Sequence, residues 1–274
     1  EPAHYCAGIR AYYKGVEGMD AENFIELHFL MELLPGYFWI FPLPNGEANV
    51  GLGIRSDYIS KRKLNLKQLL PQACTVTVPL GFDVPAQCEA HQPKQKTVLY
   101  LGRVHVLKGI EVMLRAWPQA RPDGWRLRIV GPTEADYRQH LLRLINDLGI
   151  ESSVTLEAPI YGDEKLKVWH TSALFVLASY TENFGMVVCE ALGHGLPVLT
   201  TDKTPWTDIP ERESGWICSP TVPDVARTLK QAMSTPMPTL QAMGHAGWSW
   251  MKSSFDLPVV ARQMNDCYEE LGHA

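Results

Sequence analysis

Residues 173–201, ALFVLASYTENFGMVVCEALGHGLPVLTT, decide how this chain is read. The stretch opens on a short apolar run rich in strand-forming residues and passes through a polar loop. It continues into apolar residues at helical spacing and closes on a β-branched run, LPVLTT. Strand, loop, helix and strand in so short a span make a crossover unit, the connection that joins parallel strands.

The same alternation extends back to residue 97. TVLYLG (97–102) reads as a strand and KGIEVMLRAW (108–117) as a helix. WRLRIVG (125–131) is a strand, and EADYRQHLLRLINDLGI (134–150) a helix with Gly149 near its end. SVTLE (153–157) and DEKLKVWHTS (163–172) repeat the pattern. Strands alternating with crossover helices predict an α/β fold, a doubly wound parallel sheet with helices on both faces. The tail, about 223–271, reads as helix with breaks at Pro236, Pro238 and Pro258.

The first 70 residues have a different texture. GYFWIFPLPNGEANVGLGI (36–54) places Asn45-Gly46 between an aromatic run and an alternating one, a strong hairpin signal. SKRKLNLKQLL (60–70) reads as one amphipathic helix capped by Ser60. The texture changes between Leu70 and Thr75, which predicts a small α+β segment over 1–74 and a larger domain over 75–274.

Composition narrows the function classes. Of 274 residues, 46% are hydrophobic and 20% charged, which is ordinary globular usage, and the formal net charge is −5. That balance argues against a nucleic-acid surface, and SKRK (60–63) reads as a solvated helix start. No apolar run reaches the roughly 18–20 residues of a membrane span. The six cysteines form no C-x-x-C pair or zinc spacing, so no metal site is expected. Scattered thiols suggest a reducing, cytoplasmic setting. The chain starts at Glu1 and reads as a piece of something longer.

In a doubly wound sheet, ligands sit beyond the carboxyl ends of the strands. After TVLYLG come Arg103 and Lys108, two cations at a predicted helix start, where free N–H groups also favour anions. Scattered surface cations are the alternative there. After ALFVLAS come Glu182 in the loop, then Gly185, and a helix from about Met186 whose first N–H groups face the same cleft. Glu190 lies further in, among Val187, Val188, Ala191 and Leu192, and a carboxylate on so apolar a helix needs a partner. A capping acid for Glu182 and a solvated position for Glu190 are the alternatives. His105 and His194 read as packing or surface histidines and Tyr161 as a turn residue. The loop with Trp206 reads as a cleft wall or a structural anchor.

Four elements together resemble the C-terminal, donor-binding half of the GT-B glycosyltransferases of group 1 (family 4). They are VPLGFDVP (78–85), LGRVHVLKGI (101–110), the pair Glu182 and Glu190 eight positions apart, and LPVLTTDKTPW (196–206). The resemblance implies a Rossmann-like fold that binds a nucleotide-diphosphate sugar. It implies that Arg103 and Lys108 neutralise the diphosphate, and that Glu182 accepts hydrogen bonds from the transferred sugar. Phe184, Gly185, Met186 and Val187 would offer backbone N–H groups, and Glu190 would bind the ribose hydroxyls. Retention of anomeric configuration, without a metal, is implied as well. The family's acceptor-binding half has no counterpart in the first ~75 residues, so the chain is expected to be half an enzyme.

YFWIFPLPNGEANVGLG (37–53) resembles a different family, the geranylgeranyl reductases, through Tyr37, Trp39, Phe41, Pro42, Gly51 and Gly53. IRAYYKGVEG (9–18) and SKRKLNLKQLL look like that family's flanking segments. No G-x-G-x-x-G follows any strand, so no flavin is expected and the join reads as a chimera. A glycosyltransferase donor domain is thus the expectation. The alternatives are a binding-only nucleotide-sugar module and a flavin-dependent isoprenoid reductase fragment. The expected partner is a small-molecule nucleotide sugar, with an acceptor the sequence does not identify. The aromatic hairpin, with Tyr37, Phe38, Trp39 and Phe41, suggests self-association.

Overall fold

A computed structural model describes residues 6–14, 26–28, 36–43, 47–66, 81–88, 94–120, 123–182 and 184–273. The chain divides into two compact units, Glu1–Val78 with Arg262–Ala274, and Pro79–Ala261.

The first unit holds a four-stranded antiparallel sheet of β1 (Cys6–Lys14), β2 (Glu26–His28), β3 (Tyr37–Leu43) and β4 (Glu47–Arg55), ordered β1-β4-β3-β2. The expected hairpin is present, with Tyr37 opposite Gly53 and Leu43 opposite Glu47. Its Asn45-Gly46 turn lies outside the described residues. Period-two alternation sends Phe38 and Ile40 to the same face as Ala48, Val50 and Leu52, where they pack with Ile9, Tyr13 and Leu66. Tyr37, Trp39 and Phe41 take the other face, with ring centroids 5.8 and 6.0 Å apart along the strand. Phe38 therefore does not join the aromatic patch, because neighbours on a strand point to opposite sides. The Trp39 ring lies over Gly51, where any side chain would overlap it, and its Nε1 donates to Asn49 Oδ1 at 2.9 Å.

The helix expected from Ser60 starts earlier. α1 spans Ser56–Arg62 and stops at Lys63, whose φ of +52° leaves the helical region. The rest of that expected helix, residues 67–70, lies outside the described residues, as do 78–80 of VPLGFDVP.

The second unit is a six-stranded parallel sheet: β5 (Thr97–Leu101), β6 (Arg126–Val130), β7 (Val154–Glu157), β8 (Leu174–Leu177), β9 (Val198–Thr201) and β10 (Gly215–Cys218). Its order is β10-β9-β8-β5-β6-β7, so the winding reverses between β5 and β8. Strands β8 and β9 are buried at every position, as expected for a sheet covered on both faces. The crossover helices are α2 (Ile110–Ala120), α3 (Ala135–Asp147), α4 (Gly162–Thr171) and α5 (Met186–Gly193). They are followed by α6 (Val222–Ser234), α7 (Met237–Ser254) and the start of α8 (Leu257–His273), whose residues from Arg262 on belong to the first unit. α2 touches α3 and α6, while α5 packs on α7.

The alternation expected from sequence is the one observed, with three differences. β10 lacks a run long enough to stand out in the sequence. Lys108 closes a 3-10 turn (Val106–Lys108), and α2 starts only after Gly109. In the tail, Pro238 and Pro258 stand in the first turn of α7 and α8 rather than at breaks, because the first turn needs no proline N–H.

Candidate functional site

The two loops beside the reversal of strand order meet at the carboxyl edge of β5 and β8. The amide of Tyr180 donates to the Leu107 carbonyl at 2.9 Å, tying the loops together. Gly109 makes that approach possible, since its φ is +65° and a Cβ there would overlap the Ala178 carbonyl. The phenol of Tyr100, a fully buried residue of β5, donates to the Arg103 carbonyl at 2.7 Å and pins the loop start. Burial, and next the nearby Glu182 carboxylate, push that phenol's pKa up, so it stays a neutral donor. His105 caps the 3-10 turn, its Nδ1 accepting from the Leu107 amide at 3.3 Å.

Lys108 and Glu182 are brought together across this junction: the ammonium bonds Glu182 Oε1 directly. Their side chains are only 21% and 10% exposed, so the carboxylate is held by its partner rather than by bulk water. Ser179 Oγ donates to the same oxygen at 3.1 Å. Ser179 is itself fixed, because its carbonyl accepts from Thr201 Oγ1 at 2.6 Å. Arg103 stands exposed on the loop after β5.

Helix α5 begins immediately after this pair. Gly185, at φ +80°, is its N-cap and offers no side-chain acceptor, so the first-turn N–H groups are not capped by it. The loop is anchored from behind: Trp206 Nε1 donates to the Phe184 carbonyl at 2.5 Å. Phe184 and Trp206 meet edge to face at 5.3 Å within a cluster completed by Trp250 and Phe255. Trp206 is buried and acts as an anchor. Met186 is exposed, and Val187 packs partly on the core.

Glu190 faces a different partner. Lys165 of α4 places its Nζ 2.9 Å from Glu190 Oε1 and 2.9 Å from Oε2, with both side chains about one-third exposed. One turn on, His194 stacks on Trp169 at 5.8 Å and an interplanar angle of 10°. Burial, and then the neighbouring His170, Lys165 and Lys94, push its pKa down to about 4. Tyr161 is the N-cap of α4 and 75% exposed.

Sequence reasoning missed Lys165 and Ser179. Ser179 follows β8 directly, so the rule of looking past each strand end could have found it. Lys165 has no such signal, being one helix position among several polar ones. Among the described residues no group of three or more His, Cys, Asp or Glu could hold a metal ion.

The family profile described as "Glycosyl transferases group 1" matches residues 95–235, and that of the "Geranylgeranyl reductase catalytic domain" matches 5–77. D-inositol 3-phosphate glycosyltransferase of Mycolicibacterium smegmatis is 36% identical over 108 residues, 38% of this chain and 24% of that one. Sucrose-phosphate synthase from Thermosynechococcus elongatus superposes with a TM-score of 0.64 at 22% identity, covering 79% of this chain and 56% of that chain. Anabaena Alr3699/HepE in complex with UDP and glucose superposes with a TM-score of 0.57 at 19% identity, covering 65% and 49%. The chain spans about a third or less of the length of the curated relatives it matches. Residues 95–235 are more than half of the 274, and they contain all six parallel strands. The chain belongs to the group 1 glycosyltransferases.

Proposed function

We propose that the second unit is the donor half of a glycosyltransferase, binding a nucleoside-diphosphate sugar at the β5/β8 reversal. Supporting the reading is one observation above the others: Lys108 and Glu182 form a shielded cation–carboxylate pair at the first turn of α5. A helix N-terminus with a lysine beside it favours a diphosphate, and Arg103 on the loop after β5 is a second, exposed cation. Lys108 and Arg103 stabilise the charge that grows on the leaving nucleoside diphosphate, the part a metal ion plays elsewhere. Glu182 orients the sugar through its hydroxyls, the amides of residues 184–187 meet phosphate or sugar oxygens, and Glu190 takes the ribose. Transfer retains the anomeric configuration, and the acceptor is held by residues outside this chain.

The test is a thermal melt with UDP, GDP, ADP, CDP and dTDP. At a hundred times its Kd, a ligand specific for the folded state adds about 2.7 kcal/mol of stability. One of the five raises Tm by several degrees, and Glu190→Gln removes much of that rise while Glu151→Gln, exposed elsewhere, does not. No rise with any of them overturns the proposal. Release of free sugar from the matching donor above background separates an enzyme from a module that only binds. The match over 5–77 supports a second reading, a fragment of a flavin-dependent reductase. A purified protein with flavin absorbance establishes it, and a colourless one removes it.

A further inference from the structure

The Lys165–Glu190 pair has a geometry that bears on how nucleotides are told apart. A carboxylate presents two oxygens along one edge, and a donor equally distant from both lies on the axis between them. Lys165 Nζ is such a donor, 2.9 Å from each oxygen. A vicinal diol, which offers two adjacent O–H donors, binds a carboxylate best along that same edge. The ammonium and the diol therefore compete for one position.

We infer that Lys165 is an internal competitor for the ribose diol at Glu190, and that it sets how strongly this site prefers ribonucleotides to 2′-deoxyribonucleotides. The inference rests on the donor-site reading above, since it takes Glu190 as the ribose acceptor. Two observations fit a pair built to open. Both side chains keep about a third of their surface in water, so the lysine can swing out without losing its hydration. The two groups stand on separate helices, α4 and α5, so opening the pair breaks neither helix.

A ligand with both hydroxyls must displace the ammonium from the edge, whereas a 2′-deoxy ligand bonds one oxygen and leaves the lysine on the other. Holding the lysine in place therefore costs the ribonucleotide part of its advantage. Breaking a pair that is one-third exposed is a small cost, which sets the scale at about two- to fivefold in affinity.

The experiment takes whichever of UDP, GDP, ADP or CDP raises Tm most and measures its Kd and that of its 2′-deoxy form by calorimetry. The reading is the ratio of the two, in which any effect of Lys165 on the diphosphate cancels. Lys165→Met raises the ratio about two- to fivefold over wild type. Lys165→Arg, whose planar fork grips the same edge with two hydrogen bonds, leaves it equal to wild type or lower. Lys165→Gln is measured beside Lys165→Met, so that the stability of one variant does not decide the outcome. A ratio unchanged or lowered in both neutral variants overturns the inference while leaving the donor site intact. A wild-type protein that binds none of the five nucleoside diphosphates overturns the donor-site reading and this inference with it, whereas one that binds only dTDP, or binds both forms equally, overturns this inference and the ribose role of Glu190.

Discussion

Lys108 and Glu182 lie 74 positions apart in sequence and meet at the end of two adjacent strands. Each shields the other's charge in a place with little water, so removing one partner leaves a poorly solvated ion. Lys108→Met is expected to lower stability by about 1–3 kcal/mol, the cost of an unsatisfied, largely buried polar group. The double variant Lys108→Met/Glu182→Gln recovers part of that loss, because no charge is then left without its partner. Urea unfolding followed by tryptophan fluorescence measures both. Every tryptophan but Trp39 lies in the second unit, so the signal reports mainly on the sheet that carries the pair. Additive losses in the double variant would show that the two side chains do not depend on each other.

The loops that carry these residues depend on backbone contacts more than on side chains. Gly109 and Gly149 offer a controlled comparison, since their φ values are +65° and +64°. At Gly149, after α3, an added Cβ meets nothing within 4 Å. At Gly109 it would overlap the Ala178 carbonyl on the facing loop. Gly149→Ala is therefore expected to cost about 1 kcal/mol, the price of a left-handed conformation alone. Gly109→Ala adds the separation of the two loops and costs roughly 2 kcal/mol or more. Equal losses at the two positions, measured by urea unfolding, would refute the close approach of the β5 and β8 loops. Trp206 secures the other end of the same arrangement, holding the Phe184 carbonyl and with it the start of α5.

At the scale of the molecule, acid should weaken the second unit in two separate stages. His194 is held neutral when folded, with its pKa pushed from 6.5 down to about 4 by burial and by the neighbouring His170, Lys165 and Lys94. The unfolded chain therefore binds more protons between these values, and stability falls as pH drops from about 6.5 towards 4. Glu157 acts lower: hydrogen bonds from Arg128 at 2.8 and 2.6 Å draw its pKa below 4.5. Its contribution is complete above pH 4.5 and lost as the pH falls through the lowered value. In melts between pH 7 and 4.5, His194→Gln is expected to flatten part of the fall in Tm, and Glu157→Gln to leave that range unchanged. A wild-type slope retained in His194→Gln would assign the acid sensitivity to other groups.

The sequence alone was enough for the parallel sheet, because strands buried on both faces must be written as continuous apolar runs separated by amphipathic helices. It also placed Arg103, Lys108, Glu182 and Glu190 just past strand ends or in the helix that follows, since ligand-facing loops of such a sheet occur in a fixed order along the chain. The aromatic hairpin was legible in the same way, although its alternation separates Phe38 from Tyr37, Trp39 and Phe41, with which nearness in sequence groups it. β10 was not, since four residues of mixed character carry no period to detect. Which charges pair was decided only by the tertiary structure. Lys108 reaches Glu182 because the strand order reverses between β5 and β8, and Lys165 reaches Glu190 because α4 and α5 lie side by side. Charge pairing depends on distance in space, and the sequence records distance only along the chain.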